Sequence, residues 1–319
     1  MMTATIDGAL IGESLPMLRL KELIRRVAAS ELPVLIQGET GTGKELVASA
    51  IHNHSGRSGP LIALNVCALG EALFEASLFG HVRGAFTGAV RDASGFMTEA
   101  HRGTLFMDEV SGLPMSNQAK LLRAVETKVF RPVGGRNDQR SDFRLVTATN
   151  EPIARMVELG RFRPDLAHRL SGIRLVVPPL RERLDDIPLL FSHFAKLSSN
   201  AQHSTIAMST NAMTLLRNYE WPGNVREFRN VVEATIVLSS GHTIDADDVA
   251  RLIRTDAQDG AGPHAPSRRE FRDRELLDHL ERYAWEINEV ARVLGVHRAT
   301  IYRRLRRLGV APRWDQLRA

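Results

Sequence analysis

The sequence predicts an α/β fold with a mainly parallel sheet, followed by a smaller helical domain and an all-α helix-turn-helix domain. Short apolar runs rich in branched residues alternate with helical patterns in the first half of the chain, as is typical of buried parallel strands. The strand patterns stop after Pro178-Pro179. A stretch rich in Gly, Ala, Pro and Ser then precedes two closing helical segments, the second of which is basic.

The elements follow from these patterns in chain order. Five buried strands are expected, at residues 34–36, 61–64, 104–107, 144–147 and 173–177. Four helices are expected after them, at residues 185–199, 210–219, 225–239 and 245–253. The Gly- and Pro-containing stretch predicts a flexible linker. We therefore divide the chain into an α/β domain (1–178), a helical domain (179–255), the linker (256–267) and a C-terminal domain (268–319).

Composition excludes several classes of protein. The chain has 319 residues, of which 43% are hydrophobic and 25% are charged, so it can bury a sizeable core and is neither disordered nor fibrous. No apolar run approaches the roughly 18 residues that span a bilayer. The single cysteine, Cys67, cannot form an intrachain disulfide. We therefore expect a cytoplasmic protein with no membrane partner.

A glycine-rich loop directly follows the first predicted strand and precedes a helical stretch. Its residues are Gly38, Glu39, Thr40, Gly41, Thr42, Gly43, Lys44 and Glu45. In this context glycines let backbone N–H groups approach phosphates at a helix N-terminus, and Lys44 pairs with the β- and γ-phosphates. Glu45 stands where a Ser or Thr usually helps to hold Mg²⁺. By itself the motif is explained equally by a phosphate-binding loop and by a glycine-rich turn with an incidental lysine.

Two acidic residues, Asp108 and Glu109, follow the strand predicted at residues 104–107. In nucleotide hydrolases this arrangement lets the first carboxylate hold Mg²⁺ and the second polarise the attacking water. Thr149 and Asn150 end a further strand, where they are placed to sense the γ-phosphate. Each group alone is also explained as a polar strand end. Together with the phosphate loop, however, they predict an ATP or GTP hydrolase that uses Asp108 as its metal ligand.

The net charge of +5 lies in the C-terminal part of the chain. Residues 263–319 contain 13 Arg and 8 acidic residues, and the two signs balance elsewhere. A helix at 287–294, a turn at Gly295 and a helix at 298–308 predict a helix-turn-helix. Residues expected to contact double-stranded DNA are Arg298, Thr300, Arg303, Arg304 and Arg307. Residues expected to pack inside are Ala291, Leu294, Ile301, Leu305 and Leu308. The alternative is a helical hairpin for protein contacts.

One further string, Gly84-Ala85-Phe86-Thr87-Gly88-Ala89, lies between the two nucleotide motifs. Small, flexible residues surround one aromatic ring and one hydroxyl, a composition suited to a mobile loop with a contact tip. The string resembles the signature loop of sigma-54-dependent transcriptional activators, the bacterial enhancer-binding proteins of the AAA+ class. The resemblance extends from about Ile11 to Val310. It implies an AAA+ P-loop domain with a helical lid and a Fis-like DNA-binding domain.

The resemblance also implies roles for individual residues. ATP with Mg²⁺ would be the cofactor, bound additionally by Ile11, Gly12 and the lid residue Arg226. Asn65 matches the asparagine that holds the catalytic glutamate, and Glu45 is part of the family's own phosphate loop. Arg163 and Arg169 match arginine fingers that act on the neighbouring subunit's site, which implies a homo-oligomer, a hexamer in this family. By spacing alone, these arginines are equally explained as surface ion-pair partners.

The function implied is that of an ATPase that binds an enhancer-like upstream activating sequence and remodels RNA polymerase carrying sigma-54. Residues Gly84 to Ala89 would contact the sigma factor. Because the phosphate loop begins at Gly38, we expect no receiver or ligand-sensing domain before it, and control by a regulatory protein in trans, by expression level or not at all. Two rival functions stay open here: a DNA-binding regulator that keeps the ATPase fold only as an assembly platform, and an AAA+ motor that acts on DNA itself.

Overall fold

The computed structural model describes residues 6–198, 207–239 and 243–259, together with seven positions nearer the C-terminus. Those positions are Leu280, Tyr283, Ile287, Val290, Ala291, Ile301 and Leu305. The chain divides into two compact units, Met1–Ile253 and Arg254–Ala319.

The helices and strands of the described ranges are as follows. The α-helices are α1 (Ile6–Ala9), α2 (Leu15–Ala28), α3 (Lys44–Asn53), α4 (Glu71–Phe79), α5 (Phe96–Glu99), α6 (Met115–Thr127), α7 (Ile153–Glu158), α8 (Pro164–Leu170), α9 (Ile187–Ser198), α10 (Thr210–Asn218), α11 (Asn224–Leu238) and α12 (Ala246–Asp259). The strands are β1 (Val34–Gln37), β2 (Leu61–Asn65), β3 (Gly80–His81), β4 (Ala93–Ser94), β5 (Thr104–Asp108), β6 (Val129–Phe130), β7 (Gln139–Arg140), β8 (Arg144–Thr149), β9 (Ile173–Val176), β10 (Ala207–Met208) and β11 (Thr243–Ile244).

Five strands form one parallel sheet in the order β2-β5-β8-β1-β9. They are the five strands that the apolar runs predict, so the expected parallel α/β fold is confirmed. The register pairs Asn65 with Asp108 and Gln37 with Thr149. The carboxyl ends of these strands therefore lie along one edge of the sheet, where ligands bind in open α/β folds.

The sheet is buried on both faces. Successive side chains of a strand point to opposite faces, so Leu105 and Met107 of β5 join one hydrophobic cluster and Phe106 joins the other. The second cluster also contains Ile24 of α2 and Ile51 of α3. Because both faces are covered, the strands read as continuous apolar runs without an alternating pattern.

Helices α9 to α12 surround a third hydrophobic cluster, centred on the fully buried Trp221. The indole N–H of Trp221 donates to the carbonyl oxygen of Leu216 at 2.8 Å, and the rings of Tyr219 and Phe228 each lie 4.9 Å from the indole. The expectation that no strand follows Pro179 is wrong in detail, since β10 and β11 pair in parallel. Two strands of two residues each are too short to show a period of two in the sequence.

The junction between the two units falls near the predicted linker. Helix α12 extends to Asp259, so residues 256–259 of that linker are helical, and residues 260–267 lie outside the described part of the chain. In the C-terminal unit, the described side chains form a small cluster of Leu280, Val290, Ala291, Ile301 and Leu305. The predicted packing of Ala291, Ile301 and Leu305 is therefore confirmed, whereas Leu294 and Leu308 lie outside the described residues.

Candidate active site

The glycine-rich loop joins the end of β1 to the start of α3. Gly43 adopts φ 99° immediately before α3, and Lys44 is the first residue of that helix. The Lys44 ammonium donates to the carbonyl oxygens of Gly38 at 3.0 Å and Glu39 at 3.4 Å, so the loop curls around this side chain. The free N–H groups and the dipole of a helix N-terminus favour an anion at this position. The loop thus has the geometry of a phosphate-binding loop.

The two acidic residues after β5 have different surroundings. The Asp108 carboxylate accepts a hydrogen bond from the backbone N–H of Glu109 at 2.9 Å. Glu109 has φ 55°, a left-handed conformation that is uncommon outside glycine and is found repeatedly at functional sites. Burial raises the pKa of the Glu109 carboxyl; the positive charges of Lys44 and Arg226 lower it, and the Asp108 charge raises it. A raised pKa suits a general base that must accept a proton near neutral pH.

Asn65 and Cys67 lie beside this acidic pair. The Asn65 side-chain oxygen accepts from the N–H of Ala68 at 3.2 Å and so caps the short 3₁₀ turn Val66–Ala68. In this structure Asn65 therefore acts as a cap at the end of β2. Among the described residues, no hydrogen bond joins Asn65 to Glu109, although the resemblance implies that Asn65 holds this glutamate. Sequence reasoning gave Cys67 no role at the site, yet its thiol donates to the Glu109 carbonyl oxygen at 3.8 Å. Burial and the nearby carboxylates raise the pKa of that thiol.

The strand end at Thr149 and Asn150 also reaches the phosphate loop. The Thr149 hydroxyl donates to the carbonyl oxygen of Glu151 at 2.8 Å and so closes a local turn. The Asn150 amide lies 3.5 Å from the Thr40 hydroxyl. Of the two residues, Asn150 is the one whose side chain meets the phosphate loop.

The lid, the helical part of the chain that follows β9, contributes the start of α11 and the residues just before it. The backbone N–H of Arg226 donates to the carbonyl oxygen of Gly41 at 3.2 Å. Gly41 has φ 80°, and a Cβ atom there would lie 2.2 Å from the carbonyl oxygen of Gly223. Only glycine fits at this close approach of the lid to the loop. Arg226 is thereby held at the phosphate site, within electrostatic range of Glu109.

Ile11 and Gly12 lie where the N-terminal segment approaches the lid. Ile11 packs against the lid cluster, and the Gly12 carbonyl oxygen accepts a hydrogen bond from Lys21 at 2.8 Å. Nearby, the Asp186 carboxylate accepts from the N–H groups of Glu13 at 2.7 Å and Ser14 at 2.8 Å. These contacts join the N-terminal segment to the base of the lid.

The loop formed by residues 84–89 connects β3 to β4, which pair as an antiparallel hairpin. The N–H of Gly84 donates to the Ala89 carbonyl oxygen at 2.9 Å and closes the base of the loop. Thr87 is exposed, and Phe86 is 37% exposed with its ring 5.0 Å from that of His81. The tip therefore presents one aromatic ring and one hydroxyl to solvent, as the sequence predicts.

Arg163 and Arg169 lie at the two ends of α8. The Arg163 guanidinium pairs with both oxygens of Asp165, at 3.0 and 2.7 Å, and Arg169 is exposed. The predicted DNA-contact residues Arg298, Thr300, Arg303, Arg304 and Arg307 lie outside the described residues. No described helix is both long and apolar enough to span a membrane.

A parallel sheet with a phosphate loop at its carboxyl edge, covered by a helical lid, defines an AAA+ P-loop protein. Three protein families match the chain in succession: the sigma-54 interaction domain at residues 10–176, the AAA+ ATPase lid domain at residues 181–266, and the bacterial regulatory protein, Fis family, at residues 267–308. The chain therefore belongs to the family of sigma-54-dependent transcriptional regulators, with an ATPase domain and a helix-turn-helix DNA-binding domain.

Curated relatives match most of the chain. Regulatory protein AtoC of Escherichia coli is 39% identical over 316 residues, which cover 96% of this chain and 68% of that protein. Response regulator protein PilR of Pseudomonas aeruginosa is 40% identical over 319 residues, with coverage of 96% and 71%. Transcriptional regulator VasH of Vibrio cholerae is 44% identical over 254 residues, with coverage of 78% and 48%.

Solved structures show the same architecture. NtrX from Brucella abortus in complex with ADP has a TM-score of 0.71 and 34% identity, and the match covers 94% of this chain and 69% of that one. The same protein in complex with ATP has a TM-score of 0.70 at 34% identity, with coverage of 97% and 70%. A RuvB mutant from Thermotoga maritima, at 18% identity and a TM-score of 0.54, shares the fold.

Proposed function

We propose that this chain hydrolyses ATP and uses the reaction to remodel sigma-54 RNA polymerase closed complexes, so that promoters open, while it is bound to enhancer-like DNA. The observation that carries this proposal is the position of the 84–89 loop in the chain. The loop and its hairpin lie between β2 and β5, whose ends hold Asn65 and Asp108 side by side. A change at the phosphate edge of the sheet can therefore reach the loop through both of its flanking segments.

The residues at the sheet edge fit the chemistry of ATP hydrolysis. The N-terminus of α3 and the Lys44 ammonium suit the phosphates, and Arg226 adds a positive charge from the lid. Asp108 would hold Mg²⁺, which neutralises phosphate charge; one carboxylate is enough because Mg²⁺ keeps phosphate and water oxygens as its other ligands. Glu109 is the general base that takes the proton of the attacking water. Asn150 senses the γ-phosphate beside the loop, assisted by Thr149.

The activity should depend on pH through Glu109. Because the base acts only when it is ionised, kcat should fall as the pH drops through the raised pKa of this carboxyl. We expect the acid limb of the kcat profile, measured between pH 5 and 9 at saturating ATP, above the ordinary glutamate value of 4.5. Arg226→Met removes a charge that lowers this pKa and should move the limb further toward neutral pH. A limb that does not move would contradict the electrostatic effect of Arg226 on Glu109.

Hydrolysis should require a second subunit. Arg163 and Arg169 are the proposed fingers in trans, and the proposed assembly is a hexamer. In a random equal mixture of Glu109→Gln and Arg169→Ala proteins, about a quarter of the interfaces combine an intact base with an intact finger, so ATPase activity should reappear. The matched control is Arg161→Ala, an exposed arginine of the same segment that should be active alone. Mixed rings without activity, or an active Arg169→Ala protein, would contradict the role in trans.

The remaining parts of the proposal concern partners and place. Phe86 and Thr87 at the loop tip touch sigma-54, and the arginines of the predicted recognition helix bind the upstream activating sequence. The domain division at 178, 255 and 267 assigns ATP hydrolysis and DNA binding to separate parts of the chain. A regulatory protein acting in trans is a further proposed partner. The proposed location is the cytoplasm, where RNA polymerase works.

The test is promoter opening in a purified system with sigma-54 polymerase, ATP and a promoter carrying upstream DNA from the source genome. We expect opening with ATP and none with a non-hydrolysable analogue. Failure to bind sigma-54 in every nucleotide state would contradict the proposal and favour an assembly platform. ATP-driven unwinding of DNA without a sigma factor would favour a DNA motor.

A further inference from the structure

The second residue of the phosphate loop, Glu39, is an acid in a place that must receive phosphates. An unpaired carboxylate there would repel ATP. The pKa of its carboxyl is lowered, first by the hydrogen bonds from Arg181 and also by the one from Asn224, although burial acts in the opposite direction. Glu39 is therefore ionised at neutral pH, and the groups that compensate its charge come from the lid.

Arg181 supplies the first of these contacts. It lies in the short 3₁₀ turn Leu180–Glu182 that begins the lid. Its guanidinium donates to both carboxylate oxygens of Glu39, at 2.7 and 2.6 Å, in the bidentate geometry that suits arginine and a carboxylate. Both side chains are 42% exposed, so solvent screens the pair and limits what it contributes to stability.

Asn224 supplies the second contact and is fully buried at the start of α11. Its amide nitrogen donates to the Glu39 carboxylate and to the Thr40 carbonyl oxygen, each at 3.1 Å. Its side-chain oxygen accepts from the N–H of Leu180 at 2.9 Å. The Asn224 side chain thus joins the phosphate loop both to the start of α11 and to the 3₁₀ turn at Leu180. The backbone φ of Asn224 is 54°, a value that Asn, Asp and Gly tolerate best.

A third contact between lid and loop comes from Arg183, two residues after Arg181, and reaches Thr42 of the phosphate loop. The buried guanidinium of Arg183 donates to the carbonyl oxygen of Thr42 at 3.2 Å. Together with the Arg226 N–H on Gly41, lid groups therefore bind the loop at residues 39 to 42. Arg226 follows Asn224 by two residues, so whatever holds Asn224 on the loop also sets the position of Arg226.

We infer that Glu39, Arg181 and Asn224 form a latch that fixes the lid on the phosphate loop, and that they are positioning residues for nucleotide binding and for Arg226. In the latch the Glu39 carboxylate faces the lid and is not a phosphate contact. Arg181 cancels its charge, and Asn224 aligns the lid. The inference rests on the proposed function only where hydrolysis is measured, because nucleotide binding tests it separately.

The first test is a double-mutant cycle on binding of fluorescent ADP and on the KM for ATP. Arg181→Met leaves the Glu39 carboxylate uncompensated beside the phosphates. The Kd for ADP and the KM for ATP should therefore each rise about fivefold, the upper range for an exposed ion pair. Adding Glu39→Gln to this variant removes the repulsive charge and should restore most of the affinity. The matched control is Arg229→Met, which breaks the exposed Arg229–Glu233 pair on α11 and should leave both constants unchanged.

The second test uses Asn224→Asp, which keeps the shape, the left-handed backbone and the acceptor for Leu180. It replaces the donor to Glu39 by a like charge, so the lid should be displaced and kcat should fall together with nucleotide affinity. Glu39→Gln in the same chain should recover part of both. Thermal unfolding of each variant shows that it is folded before it is assayed.

The outcomes separate the latch from the proposed function. Wild-type protein that binds ADP but never hydrolyses ATP would contradict the ATPase proposal, and the binding cycle would still test the latch. Arg181→Met and Asn224→Asp with wild-type ADP affinity would overturn the latch. Strictly additive losses for Glu39→Gln and Arg181→Met would also overturn it, because residues that act only on their own surroundings do not rescue each other.

Discussion

Replacing Glu109 by Gln should lower the kcat for ATP hydrolysis by at least about 100-fold, the smaller end of what a positioned general base contributes. ATP should still bind at least as tightly as to the wild type, because the change removes a negative charge near the phosphates while Lys44 and the N-terminus of α3 stay in place. Single-turnover hydrolysis and binding of fluorescent ATP measure the two effects separately.

The neighbouring acid provides the contrast for this experiment. Asp108→Asn should weaken binding of the magnesium nucleotide and also hydrolysis, since Asp108 is the proposed metal ligand. The Asp108 carboxylate accepts the N–H of Glu109, so the unfolding temperature of both variants must be compared with that of the wild type. Substantial hydrolysis by Glu109→Gln would mean that another group activates the water.

Replacing Thr87 by Ala should abolish promoter opening while ATP hydrolysis continues. Thr87 is exposed at the tip of the 84–89 loop, and no hydrogen bond of the described residues ties its side chain to the phosphate site. The hydroxyl is therefore free for a partner, and loss of a central contact residue costs at least about tenfold in binding. Permanganate footprinting of the melted promoter, together with phosphate release, measures both properties in one reaction.

A variant just outside the loop shows whether the loss of promoter opening is specific to the tip of the 84–89 loop. Val90→Ala changes a side chain that is 81% exposed just beyond the loop and should leave promoter opening intact. Gly134 lies against the 84–89 loop: a Cβ atom added to it would lie 2.9 Å from the Cβ of Ala85. We therefore expect Gly134→Ala to displace the loop. Normal promoter opening by Thr87→Ala would refute the proposed contact with sigma-54.

The arrangement along the sheet was predictable because parallel strands place their carboxyl ends at one edge. Asp108, Asn65 and Thr149 each end a strand, so a correct strand assignment brings them together without knowledge of any side chain. The phosphate loop was predictable from its place between a strand and a helix only together with the two acidic residues after β5, since the glycine-rich string alone is also explained as a turn. The core of the C-terminal unit followed from helical spacing at Ala291, Ile301 and Leu305.

The lid contacts were not predictable in this way. Arg181 and Glu39 lie 142 residues apart, and neither the charge of one nor its spacing indicates the other. Asn224 lies two residues before Arg226, but its left-handed backbone and buried amide depend on how α11 meets the loop. Cys67 likewise gained its place beside Glu109 only through the turn at the end of β2.

Local patterns and the order of strand ends are enough to define the class of the protein, the five strands and the chemical groups at the nucleotide site. Packing of the whole chain defines which groups compensate one another: the Glu39 charge is cancelled from the lid, burial raises the pKa of Glu109, and Arg163 pairs with Asp165. Hydrogen bonding, desolvation and charge pairing act over a few ångströms in space, and only the packed chain defines which residues are that close.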